Sequence, residues 1–148
     1  MRTPELILLI GIPAAGKSSF VREQLFDTHV RINLDMLRTR PKELRLFEAC
    51  LKGRISCVVD NTNVTRAERA RYIPLAREAR FRIIGCCFET TLKSALERNR
   101  KRERYVPEFA IRSKHEDLDL PSLDEGFDEL RTVHLKDGGF VIEAATQA

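Results

Sequence analysis

The sequence predicts a three-layer α/β sandwich, with a mostly parallel central sheet covered by helices on both faces. The first observation is that short apolar runs alternate with helix-like patterns from one end of the chain to the other. The second is that these runs are apolar at consecutive positions, as in strands buried on both faces. The third is that 148 residues with 43% hydrophobic and 32% charged residues are typical of one globular domain. We therefore expect a single domain over residues 1–148.

The elements of the first half follow from hydrophobic periodicity and turn residues. Apolar runs predict strands, and apolar residues three or four positions apart predict helices. In chain order we expect a strand at Glu5–Ile10, a helix at 18–26, a strand at 29–33, a helix at 42–52 that stops at Gly53, and a β-branched strand at 55–59.

The second half continues the alternation. Thr65 is expected to cap the next helix, because a threonine hydroxyl accepts a hydrogen bond from an amide of the first turn. We expect that helix to run to residue 80, followed by a strand at 81–88, a helix at 91–100 and two short strands within 130–143, around Asp137-Gly138-Gly139.

Composition and charge exclude some classes of protein. No apolar run approaches the roughly 20 residues of a membrane helix, and the start of the chain lacks a signal-peptide pattern. The net charge is +4, but residues 116–130 carry seven acids and no base, so the remainder carries +11. A basic body suits a polyanionic partner such as nucleic acid, or it is simply a solubilising surface.

The cysteines and histidines do not predict a metal site. Cys50, Cys57, Cys86 and Cys87 contain no Cys-x-x-Cys pair, and the three histidines are scattered along the chain. Three of these cysteines lie in apolar, strand-like runs, so we expect buried, reduced thiols. The sequence therefore predicts a cytoplasmic, intracellular protein without structural zinc.

The strongest pattern is Gly11-Ile12-Pro13-Ala14-Ala15-Gly16-Lys17-Ser18, which fits the phosphate-loop motif G-x-x-x-x-G-K-[ST]. It lies between a predicted strand and a predicted helix, as the motif requires. Glycines let backbone amides point at a phosphate chain, Lys17 reaches the β- and γ-phosphates, and the Ser18 hydroxyl is the expected Mg²⁺ ligand. The fold is therefore expected to be a P-loop NTPase sandwich. The predicted ATP-binding residues are Gly11, Pro13, Ala14, Ala15, Gly16, Lys17, Ser18 and Ser19.

A phosphate loop does not by itself define a reaction. The sequence lacks the guanine-recognition motif N-K-x-D, which argues against a GTPase, and a motor ATPase usually needs a longer chain. Asp35 follows the second predicted strand and can accept a proton from an attacking hydroxyl. Arg38, about one helical turn later, can hold an anionic acceptor in the same cleft. The alternatives are a helix N-cap at Asp35 and a surface arginine at Arg38.

Two further segments are candidates. The third strand ends in Asp60-Asn61-Thr62, and polar side chains at the carboxyl end of a parallel strand line the ligand crevice. Asp60 can hold Mg²⁺ through water or orient Arg38, and Thr62 can bind an acceptor phosphate, whereas an Asx turn is the alternative. Residues 98–104 carry five bases in seven positions, one of which can act as a lid arginine on the transferring phosphoryl group. A solvated charged face is the alternative there.

In this order and spacing, these segments resemble the 5′-kinase domain of polynucleotide kinases, both the phage type and the animal type fused to a phosphatase. The resemblance covers residues 5–135 and rests on I-G-I-P-A-A-G-K-S-S-F, I-N-L-D-M-L-R, V-V-D-N-T-N, R-N-R-K-R and Val106-Pro107. It implies Mg²⁺-assisted transfer of the ATP γ-phosphate to the 5′-hydroxyl of DNA or RNA, in nucleic acid repair. One departure is Leu34, where both relatives usually carry arginine.

The resemblance also implies roles for single residues. Lys17 and Ser18 hold ATP and Mg²⁺, and Asp35 is the general base on the 5′-hydroxyl. Arg102 matches the lid arginine on the ATP phosphates, and Arg38 matches the phage-type arginine that binds the acceptor's 3′-phosphate. The implied catalytic residues are thus Asp35, Lys17 and Arg102, and the implied substrate-binding residues are Asp35, Arg38, Asp60, Asn61 and Thr62.

Two other functions stay open on the sequence. A P-loop kinase for a small hydroxylated metabolite or antibiotic would use the same phosphate loop and the same acid at position 35. A nucleotide-gated module that occupies nucleic-acid ends would bind both ligands without transferring phosphate. Radiolabel transfer from ATP to 5′-hydroxyl oligonucleotides separates all three functions.

Overall fold

A central sheet organises the computed structural model of this protein, which describes residues 3–103, 105–136 and 138–144. Within these residues the sheet has six strands in the spatial order β2-β3-β1-β4-β5-β6. The strands are β1 (Glu5–Ile10), β2 (Val30–Ile32), β3 (Cys57–Val59), β4 (Arg82–Phe88), β5 (Glu129–Lys136) and β6 (Gly139–Ala144). Neighbours pair in parallel, except that β6 is antiparallel to β5. The predicted fold class, a mostly parallel α/β sandwich, is confirmed.

Helices connect the parallel strands. They are α1 (Lys17–Phe20), α2 (Leu34–Leu37), α3 (Arg40–Gly53), α4 (Arg66–Arg69), α5 (Ile73–Glu78), α6 (Leu92–Arg100) and α7 (Glu108–Asp117). A π-helical turn at Val21–Leu25 continues α1. Thr39, Thr65 and Thr91 each accept a hydrogen bond from an amide of the helix that follows, so the cap predicted at Thr65 is confirmed.

The core lies on both faces of the sheet, because successive side chains of a strand point to opposite faces. In β1, Ile7 and Leu9 pack into one hydrophobic cluster, whereas Leu6, Leu8 and Ile10 pack into the other. All five side chains are buried. This burial on both faces explains why the strands read as continuous apolar runs in the sequence.

The thiols are buried as the apolar runs predict. Cys50, Cys57 and Cys86 are buried and Cys87 is half-buried. Burial raises the pKa of the Cys86 thiol to about 12, which keeps it protonated and unreactive at neutral pH. No helix within the described residues is both long enough and apolar enough to cross a bilayer.

The helix predicted to extend from Thr65 to residue 80 is wrong in one respect, because it is two helices. The chain leaves the helical path between α4 and α5, and Pro74 occupies the second position of α5. Proline lacks an amide hydrogen and clashes with the preceding turn, so it starts a helix more readily than it continues one. The helices α2 and α7 are also not among those predicted from the sequence. Arg104 of the basic segment and Asp137 of the predicted hairpin turn lie outside the described residues.

Candidate functional site

The carboxyl ends of β1, β2 and β3 face a cavity of about 660 Å³. Four segments of its wall carry predicted site residues: the phosphate loop with the start of α1, the chain entering α2, the loop after β3 and the chain leaving α6. The predicted site residues in this wall are Pro13, Ala14, Gly16, Lys17, Ser18, Ser19, Asp35, Asp60, Asn61, Thr62 and Arg102. Gly11, Ala15 and Arg38 do not line the cavity that the described residues enclose.

The phosphate loop turns its backbone through the left-handed region twice. Ala14 has φ of 66° and Gly16 has φ of 96°. Such turns point successive amides at a common centre and form an anion-binding concavity. The φ of Gly16 is one that L side chains rarely adopt, so this position favours glycine for its conformation. The local sequence therefore builds a phosphate cradle.

Lys17 closes this loop upon itself. Its Nζ donates to the carbonyl oxygens of Gly11 at 2.9 Å and Ile12 at 2.8 Å, and its side chain is buried. Burial lowers the pKa of Lys17 to about 8; the charge of Asp60 partly opposes this shift, and that of Arg102 adds to it. A phosphate chain in the cradle supplies the anion that this buried ammonium otherwise lacks.

Asp60 and Ser18 form the part of the site that fits a hard cation. Oδ2 of the buried Asp60 accepts from Ser18 Oγ at 3.0 Å and from Arg31 Nε at 2.8 Å. A hydroxyl and a carboxylate beside phosphate oxygens are the ligands that Mg²⁺ prefers, since this ion usually keeps several waters and few protein ligands. The residues present therefore fit Mg²⁺, and the role of Ser18 as its ligand stays a prediction. The arginine that Asp60 contacts is Arg31, not Arg38.

Asp35 lies in the first turn of α2, exposed at the cavity wall. Asn33 caps this helix, accepting from the Met36 amide at 2.8 Å, and donates to the carbonyl oxygen of Asp60 at 2.6 Å. The Leu34 amide donates to Asn61 Oδ1 at 2.9 Å. Two side chains thus attach this short helix to the end of β3, and this attachment sets where the Asp35 carboxylate stands. The N-cap is Asn33 and not Asp35, which leaves the Asp35 carboxylate available for chemistry.

A buried carboxylate supports the other end of Asn61. Glu43 Oε2 accepts from Asn61 Nδ2 at 2.7 Å, and its Oε1 accepts from Tyr72 Oη at 2.9 Å and Arg40 Nη1 at 2.9 Å. Burial and the neighbouring Glu43 raise the pKa of Tyr72 to about 12, so its hydroxyl remains a donor. Arg40 lines the cavity, and this network holds its guanidinium in place.

Arg38 is placed differently. Its φ of 77° ends α2, and its side chain is exposed outside the cavity wall. The left-handed conformation at this position turns the chain into α3, whose first residue, Arg40, faces the cavity instead. A count of one helical turn from Asp35 places Arg38 in the cleft only if the helix continues, and the positive φ at Arg38 ends it. The prediction that Arg38 binds the acceptor stays a prediction, and Arg40 is a second candidate for that role.

The end of α6 places two arginines over the phosphate loop. Arg98 Nη1 donates to the carbonyl oxygen of Ala14 at 2.6 Å, and burial together with the charge of Arg102 lowers the pKa of Arg98. Arg102 lines the cavity, and its amide donates to the Asn99 carbonyl at 3.1 Å, while its guanidinium contacts no other described residue by a hydrogen bond or ion pair. Arg98 therefore ties α6 to the loop, while Arg102 stands at the cavity opposite the segment that carries Asp35. The sequence does not distinguish Arg98 from the other bases of residues 98–104, because all five carry the same charge and only the fold shows which one bonds the phosphate loop.

The loop after β3 is locked against the phosphate loop. The Gly11 amide donates to the Thr62 carbonyl at 2.9 Å, and Asn63 Nδ2 donates to the Leu9 carbonyl at 2.9 Å. Arg69 then donates to the Asn63 carbonyl at 3.0 Å and forms a two-pronged ion pair with Glu125, at 2.7 and 3.1 Å. The position of Thr62 in the cavity thus depends on a buried ion pair remote from it.

The cavity wall contains more positive than negative side chains. The cations are Lys17, Arg22, Arg40, Arg98, Arg102 and Lys114, and the acids are Asp35, Asp60 and Glu68. Positive charge in a concave site raises the local concentration of anions. The described cavity therefore suits a triphosphate together with a second anionic group.

Comparison with known proteins places the chain in a family. The family profile described as an AAA domain matches residues 42–121, just over half of the chain. A bifunctional polynucleotide phosphatase/kinase from Schizosaccharomyces pombe is 31% identical over 140 residues, covering 89% of this chain and 34% of that protein. A putative bifunctional polynucleotide phosphatase/kinase from Acanthamoeba polyphaga mimivirus is 33% identical over 141 residues, with the same coverage of 89% and 34%. The resemblance stated from the motifs is thus confirmed as similarity over most of the chain.

The chain spans about a third of the length of the curated relatives that it matches. Among solved structures, a gluconokinase from Sinorhizobium meliloti 1021 shares the fold, with a TM-score of 0.62, 18% identity, and coverage of 90% of this chain and 84% of that one. At this identity the likeness concerns the fold alone.

Proposed function

This chain belongs to the AAA-domain family, and from that premise we propose that it is an ATP-dependent kinase that transfers the γ-phosphate of ATP to the 5′-hydroxyl end of DNA or RNA. The single observation that carries the proposal is the common cavity. Lys17 and Ser18 of the phosphate loop, Asp35 after β2 and Arg102 after α6 all line it. The similarity to two polynucleotide phosphatase/kinases favours a nucleic-acid acceptor over other hydroxyl compounds.

The reaction asks for positioning and charge stabilisation more than covalent chemistry. Asp35 accepts the proton of the 5′-hydroxyl as its oxygen forms a bond to the γ-phosphorus. The bond between that phosphorus and the β,γ-bridging oxygen breaks, and ADP leaves with the electron pair. Lys17 and Arg102 stabilise the charge that develops on the phosphoryl oxygens. When bound through Ser18, Mg²⁺ supplies further neutralisation of the phosphates.

The test is transfer of radiolabel from ATP to matched 5′-hydroxyl DNA and RNA oligonucleotides. We expect labelled product with the unchanged protein. We expect Asp35→Asn to lower kcat by roughly 10²–10⁴, because it removes the proton acceptor. Asp117→Asn is the matched control, since this exposed acid at the end of α7 lies outside the cavity wall. Near-full activity of Asp35→Asn would remove the assignment of the base.

The same experiment separates the other two functions. A kinase for a small hydroxylated metabolite would label compounds in a metabolite pool and leave oligonucleotides unlabelled. A gluconokinase shares this fold, so the fold alone does not distinguish a metabolite acceptor from a nucleic-acid acceptor. A nucleotide-gated binding module would bind ATP and oligonucleotide and give no labelled product at all.

A further inference from the structure

A second cavity adjoins the phosphate-binding one. Its volume is about 360 Å³, within the range of small-ligand sites, and it is lined by Ser18, Val21, Arg22, Phe26, His29 and Arg31. We call it the side groove. Ser18 and Arg22 also line the larger cavity, so the two are continuous across the first turns after the phosphate loop. Phe26, Arg22 and His29 take no part in the phosphate transfer proposed for the larger cavity.

The side groove combines an aromatic ring with positive charge. Phe26 is 76% exposed, and exposure of an apolar side chain to water costs free energy. Arg22 precedes it by four residues, in the π-helical turn, and lines the same groove. His29 forms part of the wall, held by Glu5 at 2.9 Å and Thr28 at 2.7 Å. No acidic side chain belongs to the described wall.

An exposed ring beside arginines suits a single-stranded nucleic acid. Bases stack on aromatic side chains irrespective of sequence, while a basic groove follows the phosphates. Arg31 is already paired with Asp60 at 2.8 Å, but a purely apolar partner would leave the charge of Arg22 without a complement. A simple phosphate would leave the ring uncovered. A nucleotide satisfies both features at once.

The place of the side groove in the sheet assigns it to the acceptor. The order β2-β3-β1-β4 puts β2 and β3, which lead to Asp35 and Thr62, on one side of the phosphate loop. Arg98 and Arg102 follow β4 on the opposite side. His29 and Arg31 lie at β2, the outer strand of the acceptor side. The side groove therefore lies on the side of the phosphate loop that carries Asp35, away from Arg98 and Arg102.

We propose that the side groove binds the acceptor strand beyond its reacting end, with Phe26 stacking on a downstream base and Arg22 contacting a phosphodiester between the two cavities. This inference rests on the proposed function, because it needs a polynucleotide acceptor. It adds that acceptor length matters: an oligonucleotide reaches the side groove, whereas a nucleoside 3′-monophosphate ends inside the larger cavity.

The experiment compares Phe26→Ala with the unchanged protein on two acceptors. These are thymidine 3′-monophosphate and a 5′-hydroxyl oligothymidylate of about eight residues, within the span of single-strand sites. We expect kcat/KM for the oligonucleotide to fall by roughly 5- to 150-fold, the equivalent of one lost base stack. We expect kcat/KM for the mononucleotide to stay within about twofold, and Phe26→Trp to restore the oligonucleotide value.

Phe109→Ala is the matched control, because Phe109 is 75% exposed on α7 and lines neither cavity. Equal losses on both acceptors would overturn the proposal, since they indicate a structural role. A raised KM for ATP alone would overturn it in favour of the donor base, and an unchanged oligonucleotide value would also overturn it.

A binding measurement separates this inference from the proposed function. Fluorescence anisotropy with a labelled oligothymidylate reports occupancy of the groove without phosphate transfer. If no acceptor is phosphorylated but Phe26→Ala weakens binding at least fivefold, the kinase proposal fails while the side groove stands. If transfer occurs and neither binding nor kcat/KM depends on Phe26, the groove proposal fails while the kinase stands.

Discussion

The ammonium of Lys17 is bonded to two carbonyl oxygens of its own loop and has a pKa of about 8. An incoming triphosphate stabilises the charged form, so nucleotide binding is coupled to protonation of this group. We expect ATP affinity to fall as the pH rises above about 8, with proton uptake on binding in that range. Calorimetry in two buffers of different ionisation enthalpy measures the uptake. Lys17→Arg is the control, because an arginine that still binds ATP cannot lose its proton, and its affinity should not change there.

The ammonium of Lys17 also makes the free energy of unfolding depend on pH. Its pKa is lower in the folded protein than the ordinary 10.5, so between about pH 8 and 10.5 the unfolded chain binds more protons. The free energy of unfolding therefore gains a positive contribution from Lys17 as the pH rises through this window. Below pH 8 the folded state bears the full cost of the buried charge.

Arg40 and Arg38 are the two candidates for binding the acceptor, and each serves as the control for the other. The two residues carry the same charge two positions apart, but only Arg40 lines the cavity and is held there by Glu43 and Tyr72. We expect Arg40→Ala to raise the KM for a 3′-phosphorylated acceptor by roughly 10- to 100-fold, the worth of a charged hydrogen bond. Arg38→Ala should leave this KM unchanged. The reverse result in steady-state kinetics would return the role to Arg38.

At the scale of elements, the loop after β3 connects the fold to the site. It holds α2 through Asn61, contacts the phosphate loop through Thr62 and β1 through Asn63, and is itself held by Arg69. The short helix that carries Asp35 has four residues and would not form alone. Its geometry is therefore a property of this loop rather than of its own sequence.

The buried ion pair behind this loop has a measurable contribution. Side chains of Arg69 and Glu125 are 1% and 3% exposed, so Arg69→Ala leaves an unpaired buried carboxylate. We expect the free energy of unfolding, from urea titration, to fall by about 3–5 kcal/mol. Arg66→Ala is the control, because its ion pair with Asp124 is largely exposed and we expect no measurable change. Equal effects of the two substitutions would contradict this role for Arg69.

At the scale of the molecule, the charge is distributed unevenly and the cavity is basic. The net charge is +4, while the acids concentrate in residues 116–130. Binding of a single strand weakens with salt by a slope of about 0.7 per phosphate contacted. For about two contacts we expect the KM of an oligonucleotide acceptor to rise roughly sevenfold between about 50 and 200 mM salt. A smaller rise is expected for thymidine 3′-monophosphate, and equal rises would argue against contacts beyond the reacting end.

Much of the fold was predictable because its signals are local. The strands β1 and β4, six and seven residues long, carry no charged residue after their first position, and hydrophobicity accounts for their burial. The break between α4 and α5 and the existence of α7 were missed, since Pro74 and Pro107 act on backbone geometry that periodicity does not record. The turn at Arg38 escaped for the same reason, because left-handed backbone at a non-glycine residue leaves no clear mark in the sequence.

The sequence by itself determined the phosphate loop, its strand-and-helix setting and the carboxylate at position 35, because each depends on residues adjacent along the chain. Only the tertiary structure decided that Arg40 rather than Arg38 lines the cavity, that Arg31 contacts Asp60, and that Phe26 and Arg22 share a groove beside the phosphate site. Arg31 and Asp60 lie 29 positions apart in the sequence, whereas the placement of Arg40 and of Phe26 beside Arg22 depends on how the backbone turns locally. Their proximity depends on how strands order in the sheet and how each loop turns, and that is set by packing of the whole molecule.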